Sequence, residues 1–391
     1  MPSDQSTWLI VVPNNGDAEG LHSEITSKLA QQSRTSHSSV SELEIPAFKT
    51  GTLDSLITLS EELPKQDAFF TSTVAKAVDT LRNLLNNDPA KLAQHIQVNQ
   101  RSIDDYILKG WRWNEGRYGV QRSLRETVDV LNKEMASIDN MMKSKLNNYN
   151  LVKGSLVQMQ RKRMGNLSVR SLVDVVSKED MIQDSEYMQT CLVAVPKTLT
   201  KEWNARYERL TTMVVPRSSS PIASDDEYTL FSVVIFKKMH DAFVQSCREN
   251  KFIVRDFVYS EEQIDKQREE LETAEVTEKE LWTELLRVSR TNFSESFQIL
   301  VHLKVLRLFV ESVLRYGLPV NYLGLVIKPD PKSTKKTLSV LTNHFKYLAP
   351  RSGRSGKRQG GGTEDFIGEY QSLMEQEFFD FVLYEVPWIV Y

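Results

Sequence analysis

Residues 293–319 read FSESFQILVHLKVLRLFVESVLRYGLP. No proline or glycine interrupts them before Gly317, and apolar side chains fill most of the circumference of the helix this pattern predicts. Polar side chains recur at Lys304, Arg307, Glu311 and Arg315, in steps of three or four that mark one narrow wetted stripe. Gly317 and Pro319 form a stop signal, because glycine accepts the left-handed backbone past a helix end and proline cannot continue the helix. At about 1.5 Å per residue such a helix spans roughly 36 Å. A helix apolar on nearly all sides is expected at the centre of a helical domain whose other parts lie far away in sequence.

The rest of the chain is ordinary in composition. It has 391 residues, 40% hydrophobic and 26% charged, enough for two or three domains. A net charge of −3 argues against a general nucleic-acid or membrane-surface binder. Cys191 and Cys247 are the only cysteines, so no disulfide framework is expected and a reducing compartment is. Seven residues precede the first apolar run, Trp8–Val12, which Pro13 ends, and this does not read as a signal sequence. No uncharged run approaches the roughly 18 residues of a membrane span. A soluble, cytoplasmic protein is expected.

Residues 7–12, TWLIVV, read as a short buried strand, and the serine-rich stretch 33–41 as a loop. Leu43–Phe48 reads as extended, and helical patterns follow at 51–60 and 69–85. From Val120 the pattern becomes heptads: Leu124, Val128, Leu131, Met135, Ile138, Met142, Leu146, Tyr149, Val152, Leu156 and Met159. More than four heptads predict a long helix with one elongated partner. Residues 261–288 are the candidate partner. Residues 141–164 hold six basic and no acidic side chains, whereas 261–280 hold nine acidic and three basic, so an antiparallel pairing matches the charges. Each exposed pair contributes roughly 0–1 kcal/mol, which sets register more than stability.

Between these helices, residues 165–260 mix strands and helices. Strands are expected at 168–176, 191–195 and 228–236, extended chain at 213–215 and 252–259, and helices at 201–210 and 239–248. Arg217–Asp226 reads as a loop. This is a small α/β globule inserted at the tip of a helical hairpin. After Pro319, a strand at 322–327 and a helix at 337–348 precede the basic, glycine-rich loop 351–363. A helical pattern at 367–378 follows, and the apolar end 379–391 is expected to pack back on the N-terminal strand.

Chemistry-bearing motifs fail when tested. The run Gly353-Arg354-Ser355-Gly356-Lys357-Arg358 lacks both the glycine spacing of a phosphate loop and the hydroxyl residue after its lysine. The six histidines show no metal-ligand spacing, and His302, inside the central helix, reads as a hydrogen-bonded core residue. Both cysteines read as inert packing residues, and the adjacent Asp225 and Asp226 as solvated loop carboxylates. No catalytic, cofactor-binding or metal-binding residue is expected.

Four blocks carry a family resemblance: 48–56 (FKTGTLDSL), 165–172 (GNLSVRSL), 251–257 (KFIVRDF) and 310–319 (VESVLRYGLP). In these blocks and their order the chain resembles the C subunit of the eukaryotic vacuolar-type proton-translocating ATPase, the V-ATPase, over essentially its whole length; loop 351–363 lies outside the family pattern. The resemblance implies an elongated α+β protein. Its foot comes from 1–120 and 291–391, its neck from an antiparallel helix pair at 121–164 and 261–290, and its small α/β head from 165–260. It implies a non-catalytic stator and assembly subunit, peripheral on the cytosolic face of vacuolar and other endomembranes. Its implied partners are the peripheral stalks, built from the E and G subunits, and the cytosolic domain of the membrane-bound a subunit. Its release is implied to accompany reversible disassembly of the pump. Candidate contact residues are Lys237, Lys238, Arg248 and Lys251 on the basic helix of the head, and Arg307, Arg315 and Tyr316 on the foot, for which structural roles are the alternative. An elongated two-ended protein also suits a free actin-binding or cross-linking adaptor. A nucleotide-using enzyme finds no matching motif.

Overall fold

Trp8 to Val12 are completely buried at the centre of a four-stranded sheet, and the chain folds around them. The computed structural model describes residues 6–14, 16–32, 39–182, 185–330, 333–348 and 379–387. In chain order these form β1 (Ser6–Pro13), α1 (Ala18–Gln32), β2 (Ser39–Leu43), α2 (Leu53–Leu84), α3 (Pro89–His95), α4 (Ile103–Leu108) and α5 (Leu124–Met164). Next come β3 (Met188–Pro196), α6 (Thr200–Arg206), β4 (Ser220–Ser224), β5 (Tyr228–Phe236), α7 (His240–Glu249) and β6 (Ile253–Arg255). The chain continues through α8 (Glu261–Tyr316), β7 (Tyr322–Lys328), α9 (Thr334–His344) and β8 (Val382–Pro387). It divides into two compact units, residues 1–145 with 284–391, and residues 146–283.

The first unit holds the sheet β2-β7-β1-β8, antiparallel throughout. Alternate side chains of β1 point to opposite faces. Leu9 and Val11 join a core with α2, α5 and the apolar half of α8, while Trp8, Ile10 and Val12 pack with Ile25 and Leu29 of α1 and Leu341 of α9. A run buried on both faces accounts for the unbroken apolarity of TWLIVV. The apolar chain end returns as expected: β8 pairs with β1 from Ser6↔Pro387 to Val11↔Val382. Gly324 lets β2 approach, since a Cβ there would stand 2.4 Å from the Leu43 carbonyl oxygen. Gly317, at φ +79°, ends α8 where the stop signal lies.

In the second unit, β4-β5-β3-β6 form another antiparallel sheet. One face packs Val193, Val233 and Ile235 against Trp203 of α6 and Phe243 and Cys247 of α7. The other packs Leu192, Ala194 and Leu230 against Leu167, Leu172 and Val176. The heptads of α5 are largely buried, with Leu124, Val128, Leu131, Met135, Met142, Tyr149 and Leu156 all below one-tenth exposed. Their antiparallel partner is α8: Lys145 reaches Glu284 at 2.7 Å in the first unit, and Tyr149 donates to Glu278 at 2.8 Å in the second.

Mixed helices and antiparallel sheets make the fold α+β, and the second unit, expected as α/β, has no parallel strand pairing among the described residues. Several expectations are corrected. The helical patterns at 51–60 and 69–85 are one helix, α2, because its buried stripe runs Leu56, Leu59, Leu63, Asp67, Phe70 and Val74 through Pro64 without losing phase. Residues 261–288 and 293–316 are likewise one helix of 56 residues. Residues 168–176 form turns rather than a strand, since Leu167, Leu172 and Val176 plug the sheet from below while Val169 points outward, 74% exposed. The expected loops at 33–41 and 217–226 contain β2 from Ser39 and β4, both recruited by pairing with longer apolar strands. The stripe on α8 is dry at Lys304, which is 7% exposed and faces Asp67, and opens to solvent only towards Arg315. Loop 351–363 and the helical pattern at 367–378 lie outside the described residues.

Candidate partner-binding surfaces

The basic residues around α7 do not form one cluster. Lys237 and Lys238 sit in a single 3₁₀ turn before the helix, whereas Arg248 is in its last turn and Lys251 follows it at φ +62°. Lys238 and Arg248 are ten residues apart in sequence, about 15 Å along a helix axis, with Asp241 exposed between the two pairs and Glu249 exposed beside Arg248. Lys237 is committed internally, donating from Nζ to the Ser185 carbonyl at 2.6 Å. Among the described residues Lys238, Arg248 and Lys251 make no ion pair, so these three remain exposed cations facing solvent.

The candidates on α8 are held inside the first unit. Asp67 Oδ2 accepts from Lys304 at 2.8 Å and from Arg307 at 2.6 Å, and the Arg307 guanidinium lies 4.3 Å from the centroid of the Tyr384 ring. Burial pushes the Lys304 amine down despite the opposing attraction of Asp67. Arg315 donates to the carbonyls of Phe379 and Phe381 and pairs with Glu311 at 3.1 Å. The Tyr316 hydroxyl donates to the Val11 carbonyl at 3.2 Å and accepts from the Val382 amide at 3.1 Å. Arg307, Arg315 and Tyr316 therefore fasten the chain end carrying β8 onto α8 and β1, which is the structural alternative.

His302 is the core residue its position suggests. Its Nε2 accepts from the Asn114 amide at 3.2 Å, and Nδ1 lies 2.6 Å from the Gln298 carbonyl, which fixes the neutral tautomer. Trp111, Trp113 and Tyr118 surround the ring at centroid distances of 5.1, 4.8 and 5.0 Å. Burial pushes the imidazole down to about 4. Cys191 and Cys247 are buried free thiols that burial pushes up to about 12, so neither is an activated nucleophile at neutral pH. Among the described residues there is no group of three or more potential metal ligands.

The structure also joins residues that the sequence left apart. Arg255 donates to the carbonyls of Leu167, Val169 and Arg170 at 3.2, 3.3 and 2.8 Å. From the β4–β5 turn, Asp225 accepts the amides of Leu167, Glu227 and Tyr228 at 2.5, 2.9 and 2.6 Å. Burial works to raise the Asp225 carboxyl, yet these amides outweigh it and hold it below the usual range. The block 165–172 is thus clamped from both sides, and Asp225 is a structural acceptor rather than a solvated loop carboxylate. Blocks 48–56 and 310–319 also serve packing. Phe48 meets Phe309 edge-on at 5.0 Å, Thr52 caps α2 by accepting the Ser55 amide, and Arg315 and Tyr316 act as described above.

A family model for the V-ATPase C subunit matches residues 7–382. The chain is similar to the V-type proton ATPase C 1-B subunit of Danio rerio, 38% identical over 379 residues and covering 97% of each protein. It is also similar to the V-type proton ATPase C 1 subunit of Rattus norvegicus, 37% identical over 379 residues and again 97% of each.

Proposed function

The chain belongs to the V-ATPase C-subunit family, and from that membership we propose that it is a non-catalytic stator and assembly subunit of the proton pump. It bridges the peripheral stalks, built from the E and G subunits, and the cytosolic domain of the membrane-bound a subunit, and its release accompanies reversible disassembly. In this reading the first unit is the foot, the second unit contains the head, and α5 and α8 supply the neck. The observation that carries the reading is the extent of the family match, which reaches from β1 to the start of β8. Two units with separate cores suit a bivalent brace, because two modest contacts made together bind far more tightly than either alone. Among the described residues no helix is long and apolar enough to cross a membrane, and the proposed membrane association runs through the pump. The alternative of a free actin-binding adaptor draws no support from the family match.

Calorimetric titration of the full chain into purified E–G heterodimer tests the proposal. One-to-one binding with release of heat is the expected result. A folded chain that gives no binding signal would remove the stalk-bridging role.

A further inference from the structure

On one face of the sheet in the first unit, α1 and α9 meet at a cluster of three titratable side chains. Lys28 of α1 holds its Nζ 2.6 Å from Glu24 Oε1, one turn back, and 2.8 Å from Nδ1 of His344, the last residue of α9. An ammonium only donates, so Nδ1 accepts and the ring proton sits on Nε2. Nε2 is buried and finds no partner among the described residues. The imidazole, with its side chain 10% exposed, is thus held neutral in one tautomer with its single N–H unanswered, although Glu24 Oε1 lies 3.9 Å from Nδ1.

A second proton on this ring is incompatible with the contact to Lys28. It would occupy the lone pair that Lys28 donates to and set two cations 2.8 Å apart. Glu24 and Lys28 are both half-exposed, so either can turn while the buried ring stays. The other groups nearby do not compete. On α1, Glu19 and His22 neither hydrogen-bond nor pair with the ring, and Lys335 and Lys336 stand in the first turn of α9, at its far end. Beyond α9, Lys346 makes no ion pair among the described residues, and Tyr347 is a phenol that burial and Glu24 push up. The sheet beneath offers only apolar side chains such as Trp8, Ile10 and Leu325. We propose that the cluster is a proton-operated latch between α1 and α9. Near neutrality Lys28 bridges Glu24 and the neutral ring. On acidification His344 takes a proton at Nδ1, donates a hydrogen bond from it to Glu24 and releases Lys28 to water, which weakens the joint. Burial and Lys28 push the imidazole below its ordinary value of 6.5, against the pull of Glu24. The latch is therefore closed at and above that value and opens as the pH falls below it.

The test is a proton titration of the full chain by NMR, with carbon-labelled histidine and the His344 signal assigned by its loss in His344→Gln. Lys28→Met and Glu24→Gln change half-exposed side chains, and thermal melts confirm that both variants are folded. His344 in the unmodified chain should titrate below the ordinary imidazole value. Lys28→Met removes the competing cation and should move the midpoint up, whereas Glu24→Gln removes the attracting carboxylate and should move it down. A ring held only by packing would not answer the two variants in opposite directions. Amide exchange, corrected for its intrinsic pH dependence, supplies the second readout: α1 and the last turn of α9 should exchange several-fold faster below the His344 midpoint, while β3 and β5 of the second unit should not respond. In Lys28→Met the acceleration should follow the displaced midpoint. A midpoint at the ordinary value in the unmodified chain, or one that neither variant moves, would overturn the latch. So would a His344 titration that leaves exchange in α1 and α9 unchanged.

Discussion

Lowering the pH from about 7 to about 5 should destabilise the first unit by about 2 kcal/mol through His302 alone. Burial among Trp111, Trp113 and Tyr118 pushes this imidazole from 6.5 to about 4. The unfolded chain then binds the proton more readily than the folded one, so stability is intact above the unfolded value and falls as the pH drops below it. The loss grows between about pH 6.5 and about pH 4 and then levels off, at roughly 1.4 kcal/mol per unit of difference. His302→Phe keeps an aromatic ring in the cage but strands the Asn114 amide, costing about 1–3 kcal/mol at neutral pH. It also removes the imidazole titration. Urea unfolding followed by tryptophan fluorescence, for both proteins at both pH values, isolates the effect because the other titrating groups cancel. The unmodified protein should lose about 2 kcal/mol more on acidification than the variant. Equal losses in the two proteins would refute the assignment of a neutral, buried His302.

Asp67→Asn strands the buried Lys304 ammonium and should cost about 3–5 kcal/mol by urea unfolding; the double change Asp67→Leu with Lys304→Met should recover most of it. Arg255→Lys keeps the charge but loses the fork that holds three carbonyls, so limited proteolysis should cut faster within 165–172, with about 1–3 kcal/mol lost from the second unit. Gly324→Ala drives a methyl group into the Leu43 carbonyl, and amide exchange in β2 should accelerate with a cost of about 1–3 kcal/mol. Cys191 and Cys247, buried and pushed up to about 12, should resist a thiol reagent at mildly alkaline pH until denaturant is added.

Elements whose own side chains carry the signal were legible before folding. The doubly buried β1, the heptads of α5, the apolar half of α8 and its stop at Gly317 all stand where periodicity and backbone preference place them. Elements stabilised by a distant partner were not. Ser39–Leu43 and Ser220–Ser224 become strands because β7 and β5 offer open edges, a fact absent from their own composition. Pro64 reads locally as a break, yet the stripe from Leu56 to Val74 keeps α2 whole by packing. The same limit governs the charged residues. Asp67 in an apolar stripe and Lys304 in an apolar helix were each visible, but a separation of 237 residues hid that they answer one another. The basic residues near α7 looked like one patch in sequence, whereas folding sets them at opposite ends of the helix. Arg307, Arg315 and Tyr316 allowed a partner-binding or a structural role in sequence, and folding engages Arg307 with Asp67 and Tyr384 and the other two with the returning chain end.

Reconstitution tests the stator claim most directly. Membranes carrying a V-ATPase stripped of its own C subunit would receive the remaining cytosolic subunits with or without this chain, and ATP-driven acidification would be followed. The account predicts that acidification returns only with the chain present, and that the isolated chain turns over no ATP. Full acidification without it, or none with the folded chain at saturating concentration, would contradict the account.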